Sequence, residues 1–186
     1  MGGFKPIRIT TAEYLGGPET IERQELHWGV LVRETPGPSA YAHQRPLVHL
    51  TFLLQQHVRA HRLGEILVSP VDVVFDEKNA LVLQPDLIFI SRDRLDILRD
   101  RVWGAPDLVV EILSPSTWRY DCEQKLGWFR EYGVRECWLV EPRTREITVH
   151  VFEDGADGVR TFAARDLLQS RVLPQLQFGV DEAFAV

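Results

Sequence analysis

Sulfur and lysine are scarce in this chain of 186 residues, which holds two cysteines, one methionine and three lysines. Cys122 and Cys137 lack the CxxC spacing of a zinc or redox site, and so few thiols exclude a disulfide framework. Long apolar runs are missing as well. The most continuous one, Asp107 to Leu113, falls far short of the ~18 residues that cross a bilayer. The N-terminus has no basic-then-apolar signal pattern, so a soluble, cytoplasmic protein without membrane association is expected. The formal net charge of -6 argues against nonspecific coating of nucleic acid and leaves room for a local basic groove. Repeats and low-complexity tracts are absent, and the Pro/Gly-rich stretch at Pro36 to Pro38 lies too near the N-terminus to divide two domains. Residues 1–186 are therefore expected to form one domain with a core of its own.

The periodicities predict a mixed α/β order. A short helix starts at Thr10 to Tyr14, and Gln24 to Glu34 reads as two strands turning near Gly29. Leu47, Leu50, Leu54 and Val58 recur at spacings of three and four, one stripe of a helix over Ala42 to Arg62 that Gly64 closes. Glu65 to Phe75 and Ala80 to Ile90 read as one hairpin across Asp76 to Asn79, followed by a surface loop or short helix over Arg92 to Val102. Asp107 to Leu113 has the near-continuous apolar character of a strand covered on both faces. A helix over Asp121 to Tyr132, a strand over Glu136 to Glu141, and a hairpin pairing Ile147–Glu153 with Val159–Phe162 complete the reading.

Three residues break the pattern around them. Asp86 stands between Pro85 and the apolar run Leu87 to Ile90, and Glu111 is enclosed by Val109, Val110, Ile112 and Leu113. An uncompensated carboxylate in either place would cost several kcal/mol, which a metal ion or a cation removes. The third is Lys125, which shares a helical stripe with Phe129 and Tyr132 at i+4 and i+7, early in the helix that follows the Glu111 strand. Two carboxylates and a lysine converging there would suit metal-assisted phosphodiester cleavage: the acids hold Mg²⁺ or Mn²⁺, the ion polarises the phosphate and acidifies a water, and the lysine positions that water or neutralises developing charge.

The order of these motifs resembles a known family. Pro85–Asp86, then APDLVVEILSPST from Ala105 to Thr117, D-x-x-x-K from Asp121 to Lys125, Tyr132-Gly133-Val134 and WLVEP from Trp138 to Pro142 resemble the Uma family of candidate restriction endonucleases. That family belongs to the PD-(D/E)XK superfamily, and the resemblance runs from about Ile21 to Pro142, with PSAYAHQ at Pro38 to Gln44 matching more weakly. It implies a restriction-endonuclease-like core, a mixed sheet flanked by helices, with Asp86 and Glu111 as metal ligands. The usual superfamily lysine lies two positions after the second acid, where this chain has Leu113. The resemblance implies a lysine relocated to the next helix, the place of Lys125. A homodimer on DNA is a further implication of the family.

The leading expectation is thus a Mg²⁺-dependent DNA endonuclease using Asp86, Glu111 and Lys125, with the Ile112 carbonyl as a further metal ligand. A noncatalytic module that holds nucleic acid or a protein on a nuclease fold is the alternative. His43, Asp72, Ser114 and Ser116 are candidate accessory residues, each with an ordinary counterpart in capping or solvation. Asp107 lies on the Glu111 side of its strand but about 13 Å along it and reads as structural. His57 and His61 have zinc-pair spacing without a further ligand motif and read as a solvated helix face.

Overall fold

The computed structural model describes residues 7–18, 22–33, 40–114, 121–152 and 158–185. The expectations placed on Ser116 and on the tip of the last hairpin fall outside them. Helix α1 (Thr11–Leu15) is capped by Thr10 in a reciprocal capping box with Glu13. Strands β1 (Gln24–His27) and β2 (Val30–Arg33) pair antiparallel. Helix α2 (Ala40–His61) lays its leucine stripe on a six-stranded sheet.

Gly64 does not close α2. The helix ends at His61, Arg62 takes the positive φ of 53°, and Gly64 opens β3 (Gly64–Val68) instead. It sits there because a Cβ would lie 2.0 Å from the Ile90 carbonyl oxygen of the facing strand. The long hairpin expected between residues 65 and 90 is also divided. Its arms become β3 and β4 (Val73–Asp76), then β5 (Leu81–Leu83) and β6 (Leu87–Ser91). Pro70 and Pro85 interrupt both arms at the same level, since neither can donate to a ladder. Beyond that level the pair β4–β5 joins one sheet and β3–β6 another.

After a 3₁₀ turn at Arg92–Ile97 come β7 (Val102–Trp103) and β8 (Leu108–Ile112). A wide π turn at Asp121–Lys125 leads into α3 (Leu126–Glu131), which carries the chain to β9 (Glu136–Glu141), parallel to β8. Strands β10 (Glu146–Val151) and β11 (Gly158–Ala163) extend the sheet, and β12 (Leu167–Gln169), β13 (Gln177–Gly179) and α4 (Val180–Ala183) close the chain. The larger sheet runs β11-β10-β9-β8-β6-β3 and the second β2-β1-β5-β4-β7.

Strand β8 shows how the core is divided. Leu108, Val110 and Ile112 face the α2 stripe, whereas Val109 and Leu113 face Phe129 of α3 and Leu83 of β5. Burying each such leucine or valine contributes about 1.5–3 kcal/mol, so both faces of the strand are anchored. By the same alternation Glu111 points to the second face, into the space between the two sheets. Among the described residues no helix is long and apolar enough to cross a membrane.

Candidate active site

Asp86 immediately precedes β6, at the point where the chain leaves one sheet for the other, and β6 pairs with β8 so that Leu87 faces Val110. The next level of that ladder sets Asp86 beside the end of β8, where its Oδ2 accepts the Ile112 N–H at 2.7 Å. Asp86 is 1 % and Glu111 2 % exposed. The π turn brings Lys125, wholly buried, back over β8 from the other side, with Nζ 3.5 Å from Glu111 Oε1. His43, in the first turns of α2, places Nε2 3.3 Å from Asp86 Oδ1.

Strand β1 and the residue just before it supply two residues that sequence reasoning missed. Glu25, fully buried, accepts from Lys125 Nζ at 2.8 Å and from the Gln84 N–H at 2.9 Å, and its other oxygen lies 2.8 Å from His27 Nε2. Arg23 spans the two acids, Nη1 2.7 Å from Asp86 Oδ1 and Nη2 3.6 Å from Glu111 Oε2, while also donating to the Gln84 carbonyl. A signal for them exists. Glu25 and His27 alternate along β1 and Arg23 immediately precedes it in the same register, so a period of two puts three ionisable groups on one side. Only the meeting of the two sheets turns that face inward.

The electrostatics follow from these contacts. For Glu25 burial opposes ionisation, but the Lys125 ammonium, the His27 hydrogen bond and the Arg23 charge outweigh it and hold the carboxyl well below the usual range. Asp86 is likewise lowered: burial pushes it up, and the His43 hydrogen bond, the Arg23 and His43 charges and the Ile112 N–H pull it further down. Glu136 on β9 gives the contrast. It is buried too, bonded to Trp138 Nε1 at 2.6 Å and the Arg171 N–H at 2.7 Å, and burial leaves its carboxyl raised. Neutral donors satisfy Glu136, whereas ammonium and guanidinium groups keep Glu25 and Asp86 charged.

The other sequence candidates divide. Asp72 stands one residue removed from the acids, held by Gln84 Nε2 at 2.9 Å, Arg101 Nε at 3.1 Å and the Tyr14 hydroxyl at 3.1 Å. Ser114 follows β8 and is half-buried. Asp107 is locked by the Ser91 N–H at 2.8 Å and Arg94 Nη1 at 3.1 Å. The rings of His57 and His61 bond to the carbonyls of Pro174 and His57.

Among the described residues no three His, Cys, Asp or Glu side chains stand in metal-binding geometry. The donor set that is present still fits Mg²⁺, which takes one or two carboxylates and fills its shell with water and substrate phosphate. Arg23 bridging the two acids marks the place between them as one that a cation occupies.

A family model described as "putative restriction endonuclease" (Uma2) matches residues 11–181. The chain belongs to this family. The resemblance read from the Pro85–Asp86 and APDLVVEILSPST motifs is borne out, and the match extends past Pro142 through the closing strands. The fold is similar to the crystal structure of a "putative nuclease belonging to DUF820" from Anabaena variabilis, with a TM-score of 0.78 at 19% identity, covering 95% of this chain and 97% of that one. That likeness bears out the expected mixed α/β architecture. No curated protein matches the chain.

Proposed function

We propose that this Uma2-family protein is a Mg²⁺- or Mn²⁺-dependent DNA endonuclease whose site is Asp86, Glu111 and Lys125, with Glu25 as the residue that fixes the lysine. The observation that carries the reading is the convergence of two buried acids and a buried lysine from β6, β8 and the turn into α3. Asp86 and Glu111 would hold the ion, with the Ile112 carbonyl as a further ligand. A divalent cation bound there supplies Lewis-acid polarisation of the phosphate and lowers the pKa of a water.

Lys125 lies between Glu25 and Glu111 and, as an ammonium there, would not serve as the base. It orients the attacking water and offsets negative charge as the phosphate is attacked. Glu25 holds the ammonium in place through its 2.8 Å contact. His43 keeps Asp86 ionised and turned to the site. Family membership supports the nucleic-acid substrate, and a homodimer that cuts two strands belongs to the same reading.

Supercoiled plasmid incubated with the protein and Mg²⁺ or Mn²⁺ is expected to be nicked, and to remain intact when EDTA is added. Plasmid left intact under both metals would favour the alternative of a noncatalytic module on the same fold.

A further inference from the structure

Among the described residues, Glu25, Asp86 and Glu111 meet Arg23 and Lys125 in this site, and the two cations are not equivalent. Lys125 is wholly buried and held between Glu25 and Glu111. Arg23 has 20 % of its side chain exposed and sits in front of acids that are 2 % exposed, so it lies between them and solvent. One of its nitrogens reaches each acid, which is the place a bridging dication would take. His43 also touches Asp86, but its contact is to that acid rather than across the pair.

We propose that Arg23 is a displaceable internal counter-ion: it fills the cation position between Asp86 and Glu111 until a divalent metal enters, then turns outward to bind the phosphate of the DNA strand. The inference rests on the metal-dependent reading above and assigns a substrate-binding residue to that site. Charge balance favours the exchange. At the two acids that Arg23 spans, a dication in place of the guanidinium sets two positive charges against two carboxylates where the guanidinium sets one. The released guanidinium is a planar fork suited to a phosphate, and partial exposure gives it a path outward. The metal therefore competes with an arginine for the same oxygens, and substrate phosphate recaptures the arginine.

The test is calorimetric titration of Mn²⁺ alone into wild type, Arg23→Lys, Arg23→Gln and Glu111→Gln, with plasmid nicking on the same samples and circular dichroism to confirm folding. Removing the competitor is expected to tighten Mn²⁺ about tenfold in Arg23→Gln, while nicking at saturating Mn²⁺ falls about a hundredfold as the phosphate contact is lost. Arg23→Lys, which keeps a charge on the acids and is the variant to rely on if Arg23→Gln does not fold, is expected to tighten Mn²⁺ by a smaller factor and to nick poorly. Unchanged or weaker Mn²⁺ affinity in a folded Arg23 variant overturns the proposal, and so does tighter affinity with undiminished nicking. Failure of the underlying metal reading looks different, since Mn²⁺ would then bind neither wild type nor any variant.

Discussion

Glu111→Gln is expected to lower metal-dependent plasmid nicking by at least about a hundredfold while leaving the protein folded. The amide keeps the volume of the side chain and its place on β8, so the packing of Val109 and Leu113 against α3 is preserved. What is removed is one negative charge facing the cation position. Lys125 retains Glu25 at 2.8 Å, so no buried ammonium is stranded, and stability at pH 7 should change by no more than about 1 kcal/mol. Preparations purified in parallel, with unfolding followed by tryptophan fluorescence, separate loss of chemistry from loss of structure. Nicking equal to wild type would remove Glu111 from the mechanism.

Lys125→Met has the opposite character, a large cost in stability. Methionine fills the same apolar surroundings beside Phe129, but Glu25 and Glu111 lose the buried ammonium they share. Breaking a buried ion pair from one side costs about 3–5 kcal/mol, and that is the destabilisation expected at pH 7 in urea. The pH dependence carries its own sign. In the wild type the Glu25 carboxyl is depressed, so its contribution is complete above the unfolded carboxylate range near pH ~4 and is lost only as pH falls below it. In Lys125→Met the burial that raises the Glu25 carboxyl is no longer offset by the ammonium, and the native state takes up a proton sooner. The variant should therefore gain stability relative to the wild type between pH 7 and pH 5. A cost below about 1 kcal/mol at pH 7, or parallel pH profiles, would contradict the paired arrangement.

Elements defined by a local rule were legible in the sequence, and those defined by a meeting of distant segments were not. The α2 stripe, the β8 run and the strand at Glu136–Glu141 each follow from periodicity within one segment. The prolines at 70 and 85 were equally visible, but that they divide one hairpin between two sheets depends on their lying at the same level, a property of pairing. The same limit applied to the site. Asp86, Glu111 and Lys125 stood out because each violates an apolar context. Arg23 and Glu25 did not, because charged residues at the start of a short strand ordinarily meet water. An acid in an apolar strand was also not sufficient by itself, since Glu136 is as buried as Glu111 and bonds to Trp138 and to the backbone of the closing segment. What separates them is the company of cations, which no single segment displays.

Crystals grown with Mn²⁺ and measured for anomalous scattering would test the central claim most directly. The account predicts a peak between the carboxylates of Asp86 and Glu111, within coordination distance of both, with the Arg23 guanidinium displaced from them. Crystals that bind Mn²⁺ elsewhere while Arg23 still spans the two acids would contradict it.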